Sequence, residues 1–220
     1  MSTFIFDIET GPRSRAELAE CVPTFEAPSN WKDPEKIRAY VAEKEVEWFQ
    51  SAALSALTGR VLAIGYANED TGEIGFFATG DEAADLAAFW HLIAPTGYLN
   101  ANLIGFSSNR FDLPFLIRRS WHHRVPVPAD IVSGRWLPSQ CRDVLDTWRC
   151  GNREDSVSLD RLAQFLGVGR KNGSGADFAS LWATDPAGAL DYLANDLRLT
   201  RRCAVALGLI AHPSVSQPSL

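Results

Sequence analysis

The sequence holds little that could staple, anchor or export it. Its four cysteines, Cys21, Cys141, Cys150 and Cys203, are scattered and form no C-x-x-C. That spacing argues against a zinc site and against a disulfide framework, and a reducing cytoplasm is the simplest expectation. No apolar run approaches the ~18 residues that cross a membrane. No basic segment followed by a long apolar one is visible at the start, so no signal peptide is expected. Positive charge is also short. The net charge of −6 gives no global attraction to nucleic acid. Local basic patches are still present: Arg118-Arg119 with His122, His123 and Arg124; Arg170-Lys171; and Arg198, Arg201 and Arg202. Each is either a solvated face or a contact for phosphates.

Familiar catalytic signatures are missing as well. There is no G-x-S-x-G and no H-E-x-x-H. The glycine-rich stretch Gly167–Gly175 reads as a flexible loop; it lacks the order G-x-x-x-x-G-K-S/T of a phosphate-binding loop. No internal repeat is present. What remains is an ordinary globular composition, 46% hydrophobic and 22% charged over 220 residues. That length suits one large domain or two small ones.

Along the chain, strands and helices interleave. Thr3 to Glu9 reads as a strand ended by Thr10-Gly11-Pro12. Residues 13–56 are polar and mixed, with a helix expected from Pro34 to Leu54, capped by Asp33 with Pro34 at its first position. This insertion is either a lid facing substrate or a packed surface helix. Arg60 to Asn68 and Glu73 to Ala78 form a hairpin signal. Asp81 caps a helix to about Ala94, Leu99 to Phe106 is a strand, Phe111 to His122 is helical, and Cys141 to Leu145 is a short strand. Ser158 opens a helix carrying Leu159, Leu162, Ala163 and Leu166 at helical spacing. Asp185-Pro186 opens the last long helix. The expected organisation is one domain over residues 1–211 followed by a flexible C-terminal tail, 212–220. The interleaving predicts an α/β domain with a mixed sheet.

Asp7-Ile8-Glu9 ends the first apolar strand. Side chains alternate along a strand, so Ile5, Asp7 and Glu9 share one face while Phe4, Phe6 and Ile8 share the other. Two carboxylates side by side at a buried strand end need a cation, a donor or a proton. On the pair alone, a solvated strand end is the competing reading. The last helix supplies more. On a 100° wheel, Asp191, Asn195, Arg198, Arg201 and Arg202 form the wet arc, while Asp196 sits in the apolar arc with Tyr192 one turn before it. An Asp there is either satisfied by backbone donors or an arginine, or is part of a shared site with the strand-end pair. Asp112, in Phe111-Asp112-Leu113-Pro114-Phe115-Leu116, follows a strand and starts a helix; it either offsets the helix dipole or is a fourth acid of that site. Four acids without His or Cys describe a Mg²⁺ or Mn²⁺ site. Two such ions ~3.5–4 Å apart suit in-line attack on a phosphodiester.

Asp7-x-Glu9, Asp112 in its F-D-L-P-F-L context, and Tyr192-x-x-x-Asp196 together resemble the three motifs of the DEDD 3′–5′ exonucleases, tyrosine subclass. The nearest resemblance is to predicted exonucleases related to the exonuclease domain of family B DNA polymerases. It runs over most of the chain, including Leu57–Gly65 and Ser158–Gly167. The resemblance implies a ribonuclease H-like fold, with a five-stranded mixed sheet flanked by helices. It implies two divalent metal ions, Mg²⁺ or Mn²⁺, held by Asp7, Glu9, Asp112 and Asp196, with Asp7 bridging the two. It also implies a water oriented by Tyr192, and nucleoside 5′-monophosphates released from the 3′ end of single-stranded DNA or RNA, with DNA favoured. Thr10 would lie near the terminal nucleotide.

Phe106 and Phe111 are read either as base-stacking groups or as core residues, and Arg170 and Lys171 as phosphate contacts. Relatives often carry Asn five positions before the second-motif Asp; Ser107 stands there, with Asn109 two residues later. Both are taken as substrate contacts. Asp143 also resembles a family position, with a structural role. A polymerase or repair partner in trans is an expectation of the same kind. The alternative reading is a catalytically silent nucleic-acid-binding or scaffold domain on the same fold. Loss of an acidic ligand would favour it, and none is missing.

Overall fold

The computed structural model describes residues 1–211, so the predicted tail at 212–220 lies outside the described residues. The chain runs β1 (Ser2–Pro12), α1 (Arg15–Leu18), α2 (Pro34–Ala52), β2 (Gly59–Asn68), β3 (Ile74–Phe77), α3 (Glu82–Ile93), β4 (Ala101–Gly105), α4 (Asp112–His123), α5 (Ala129–Val132), β5 (Cys141–Asp143), α6 (Val144–Arg149), α7 (Leu159–Phe165), a 3-10 turn (Gly175–Asp177), α8 (Phe178–Thr184) and α9 (Pro186–Ala206). The five strands form one sheet in the order β3-β2-β1-β4-β5. The β3-β2-β1 half is antiparallel and the β1-β4-β5 half parallel. This is the expected ribonuclease H-like fold with its five-stranded mixed sheet.

The alternation of β1 separates two cores. Phe4, Phe6 and Ile8 pack with α3 and α4 through Leu86, Phe89, Leu113 and Leu116. On the other face, Ile5 packs with α7 and α9 through Leu162, Leu197 and Leu199. Asp7 and Glu9 share the Ile5 face and therefore look toward α9. Gly65 sets how close α9 comes. It pairs with Asp7 across the β1–β2 ladder, and a Cβ there would stand 2.9 Å from Leu193 Cγ and 3.0 Å from Leu197 Cδ1. Contacts that short leave no room for a side chain, so glycine at this position lets the helix settle onto the strand pair. Beyond Asp7 the ladder slips: Glu9 pairs with Ala63 but Thr10 with Val61. The extra residue on β2, Leu62, makes a bulge at the site's edge.

The insertion is closed at its base. Arg13 N–H donates to Thr58 O at 2.9 Å, tying its two ends together. Ser14 and Glu17 form a capping box on α1, and Asp33 accepts from Glu35 and Lys36 N–H to cap α2. Short helices α5, α6 and α8 stand where the sequence showed only loop or strand, and β4 is shorter than its apolar run. The Arg118-Arg119-His122-His123-Arg124 patch is also smaller than its sequence suggests. Arg119 is only 3% exposed; it donates through Nε and Nη2 to Glu82 at 2.8 and 2.7 Å and through Nη1 to Ala56 O. Among the described residues, no helix is long and apolar enough to cross a membrane.

Candidate active site

Three acids from two elements meet on the α9 face of β1. Asp7, Glu9 and Asp196 each offer an oxygen, and these oxygens all lie within 4.8 Å of one another. Asp7 is partly buried, while Glu9 and Asp196 are 7% and 2% exposed. Asp112 reaches the same place from the start of α4. Pairing of β1 with β4 stops at Ile5↔Ile104, and beyond it the Ile8 N–H donates to Asp112 Oδ1 at 3.0 Å instead. Asp112 is also the strongest charge acting on Asp7.

Packing four carboxyls together out of water makes each harder to ionise. Burial, then Asp112, Glu9 and Asp196, raise the Asp7 carboxyl well above the ordinary range. Burial and Asp196 push Glu9 up to about 8. Burial lifts Asp112 to about 7, against the pull of the Ile8 N–H. Burial raises Asp196 too, and Lys171 pulls it back. Lys171 Nζ sits 2.5 Å from Asp196 Oδ2 and 5.0 Å from the centre of the Tyr192 ring. One ammonium among four carboxyls leaves the site short of positive charge.

Two buried polar atoms have no partner here: Asp196 Oδ1 and Tyr192 Oη. Orphaned polar groups of this kind are rare in folded proteins and suit a polar or charged ligand. The donor set is all carboxylate, which suits a hard divalent cation. The residues present therefore fit the metal ions that the fold implies. Tyr192 is held by Phe178, whose ring centre lies 6.2 Å away, and is covered by the glycine-rich loop. A Cβ on Gly173 would stand 2.9 Å from the Tyr192 ring; one on Gly175 would lie 3.5 Å from Tyr192 Oη and 3.8 Å from Glu9 Oε2. Burial and Asp196 push the phenol further up from its ordinary 10, so it stays protonated and acts as a hydrogen-bond donor.

Beside the acids opens a cleft of about 850 Å³. It is lined by Glu9, Thr10 and Phe111, by Val46, Phe49 and Leu54 of the insertion, and by Gly175, Ala176, Asp177, Ala179 and Ser180. Val46 and Leu54 are 50% and 67% exposed, an apolar wall open to a ligand. These wall residues, and the glycines over Tyr192, are not singled out by the sequence, because nothing in α2's pattern marks one face as a cleft wall.

The other sequence candidates fall in several places. Phe106 packs against the core formed by Ile5, Ile104 and Val144, away from the cleft. Ser107 has φ +60° and its N–H donates to Asp143 Oδ1 at 3.0 Å. Asn109 N–H donates to Asp143 Oδ2 at 2.9 Å. Asp143 also caps α6 through Leu145 and Asp146 N–H, so one carboxylate fixes the loop that delivers Asp112. Arg170 is exposed, with its carbonyl accepting from Asn195.

The comparisons with known proteins agree with this architecture. The chain is similar to the family B DNA polymerase from the hyperthermophilic archaeon Pyrobaculum calidifontis, with a TM-score of 0.59 and 19% identity over 94% of this chain and 24% of that one. At that identity the likeness is one of fold, and the chain spans about a quarter of the polymerase's length. No curated protein matches. The RNase_H_2 family, of the RNase_H superfamily, matches residues 51–201, a stretch that includes Asp112, Tyr192 and Asp196 while β1 lies ahead of it. With most of its length in that match and the sheet order to go with it, the chain belongs to the RNase_H superfamily.

Proposed function

We propose that the protein is a metal-dependent 3′–5′ exonuclease that shortens single-stranded nucleic acid, DNA in preference to RNA, and releases nucleoside 5′-monophosphates. The observation that carries this reading is the acidic cluster itself. Asp7, Glu9 and Asp196 converge within 4.8 Å, their carboxyls are raised by burial and mutual repulsion, and Asp196 Oδ1 and Tyr192 Oη are buried without partners. A silent scaffold has no use for such an arrangement, which costs stability unless cations neutralise it.

Asp7, Glu9, Asp112 and Asp196 would hold two divalent ions, Mg²⁺ or Mn²⁺. When bound, these would supply a hydroxide at neutral pH and stabilise the charge on the leaving oxygen. The chain's own groups do the rest. Tyr192 donates its hydroxyl proton in a hydrogen bond that orients the attacking water. Thr10 and Phe111 flank the terminal nucleotide in the cleft, and the apolar wall of Val46, Phe49 and Leu54 receives its base. Lys171, which pairs with Asp196, would release that carboxylate to a bound ion and offer its ammonium to a substrate phosphate.

The likeness in fold to a family B DNA polymerase is consistent with this reading. The test is digestion of matched single-stranded DNA and RNA, labelled at the 5′ end, with Mg²⁺ or Mn²⁺. The expected result is a ladder shortening from the 3′ end with mononucleotide release, slowed ~10²–10³-fold in Asp196→Asn, the scale on which loss of one electrostatic stabiliser lowers kcat. Wild-type protein that leaves both strands intact with either metal refutes the proposal.

A further inference from the structure

A second cavity, of about 740 Å³, lies on the other side of the β4–α4 loop. Arg110, Arg135, Arg149 and Arg153 line it, and Asp146 is the one carboxylate among its lining residues. Asp146 is already shared, 3.5 Å from Arg110 Nε and 3.1 Å from Arg149 Nη1. Among the described residues, Arg135 and Arg153 enter no ion pair. In a chain of net charge −6, this concentrates positive charge in one concave place, where low-dielectric walls focus the field. The cavity also carries Trp136, 70% exposed, with the Arg135 guanidinium 5.1 Å from its ring centre. An indole left in water next to unpaired arginines serves no core.

The cavity and the cleft meet at neighbouring residues of one loop. Phe111 lines the cleft and Arg110, the residue before it, lines the cavity. Consecutive Cα atoms are ~3.8 Å apart, so a strand leaving the cleft crosses one loop to reach the arginines. That loop is held still by Asp143, which accepts from the N–H groups of Ser107 and Asn109.

We infer that this cavity binds internal nucleotides of the single strand whose 3′ end lies in the cleft, with arginines on its phosphates and a base stacked on Trp136. The inference rests on the exonuclease reading for the identity of the strand. A nucleotide offers a phosphate and a base together, and a cavity that sets arginines beside one exposed indole suits both parts. An acidic peptide would satisfy the arginines and leave the indole unused.

The experiment is fluorescence anisotropy with 5′-fluorescein oligothymidylate and oligouridylate in EDTA, where no hydrolysis occurs. Strands of twelve and of three nucleotides are compared on wild type, Trp136→Ala and Arg135→Ala/Arg153→Ala. Each variant is expected to weaken the twelve-nucleotide strand about tenfold and to narrow its advantage over the three-nucleotide strand. The double variant should also lower the slope of log K against log salt by about 0.7 for each phosphate it no longer neutralises.

Unchanged affinity in both variants overturns the proposal, as does a glutamate dodecapeptide that competes as well as the oligonucleotide. If Trp136→Ala melts early, the double variant carries the test alone. Parallel assays of 3′ shortening keep the two readings apart. Variants that weaken binding while wild type degrades nothing leave the cavity standing and remove the nuclease. Variants without effect on binding while wild type shortens strands do the reverse.

Discussion

Glutamine in place of Glu9 is expected to make the metal-free protein more stable, by a margin that grows as pH rises from about 4.5 to 8. Burial and Asp196 push the Glu9 carboxyl from 4.5 up to about 8. The folded state therefore holds this proton where the unfolded chain has already released it. Between about pH 4.5 and 8 the folded protein binds more protons than the unfolded one, so stability falls as pH rises through that window and stays lost above it. At about 1.4 kcal/mol per tenfold change in proton affinity, keeping Glu9 ionised in the fold costs on the order of 5 kcal/mol. Asp7, Asp112 and Asp196 share that repulsion, so Glu9→Gln should recover roughly 2–4 kcal/mol at pH 9 in EDTA. For a chain of this size, that raises Tm by about 5–15 °C. Near pH 4.5 the two proteins should melt together. The assay is thermal unfolding by circular dichroism across this pH range, in EDTA and then with excess Mg²⁺. Metal at a hundredfold over Kd adds ~2.7 kcal/mol to the wild type and much less to the variant. A variant no more stable than wild type at pH 9, or a wild-type Tm that stays flat from pH 5 to 9, refutes the reasoning.

Tyr192→Phe removes a hydroxyl that is buried without a partner. Stability should hold or rise by about 1 kcal/mol, while kcat on an oligonucleotide falls ~10–100-fold at unchanged KM, as read in steady-state kinetics. Gly65→Ala places a methyl 2.9 Å from Leu193 Cγ. Overpacking there should cost ~1–3 kcal/mol and draw Asp196 away from Asp7, so that the Mg²⁺-induced rise in Tm shrinks along with the Tm itself. Glu82→Ala strands the buried Arg119 guanidinium, which Glu82 meets at 2.7 Å. Urea titration should show a loss of ~3–5 kcal/mol, with the motif-bearing residues untouched.

Asp196 is legible in the sequence because a carboxylate in the apolar arc of a helix has few explanations, and the structure buries it. The alternation of β1 places Asp7 and Glu9 on one face, and that face is the one α9 covers. Phe106 and Phe111 show where such reasoning stops. Both read as possible stacking groups; both pack half-buried against a core, and of the two Phe111 also lines the cleft. The backbone turns between them at Ser107, with φ +60°, a conformation rare outside glycine and not signalled by residue type. Helix α8 is not legible, because seven residues are too few for a period to emerge. The Lys171–Asp196 pair joins a loop to a distant turn of a helix, and no local spacing rule reaches that far.

The same burial that strains the metal-free site also sets how it takes up a cation. Asp112 and Glu9 sit at about 7 and about 8, so near neutrality part of the site is protonated, and a metal must displace those protons to bind. Apparent Mg²⁺ affinity should therefore climb as pH rises through 7 to 8 and level off once these two carboxyls and the raised Asp7 are ionised. Lys171 adds a second competitor, since its ammonium holds Asp196 Oδ2 at 2.5 Å and must give way. Lys171→Met removes that competitor but also the cation that holds the Asp7, Glu9 and Asp196 carboxyls down, so it should tighten Mg²⁺ binding at alkaline pH and move the pH at which affinity levels off upward. Isothermal titration across pH separates the two effects. An affinity that ignores pH in both proteins would mean that these four carboxyls do not receive the ion.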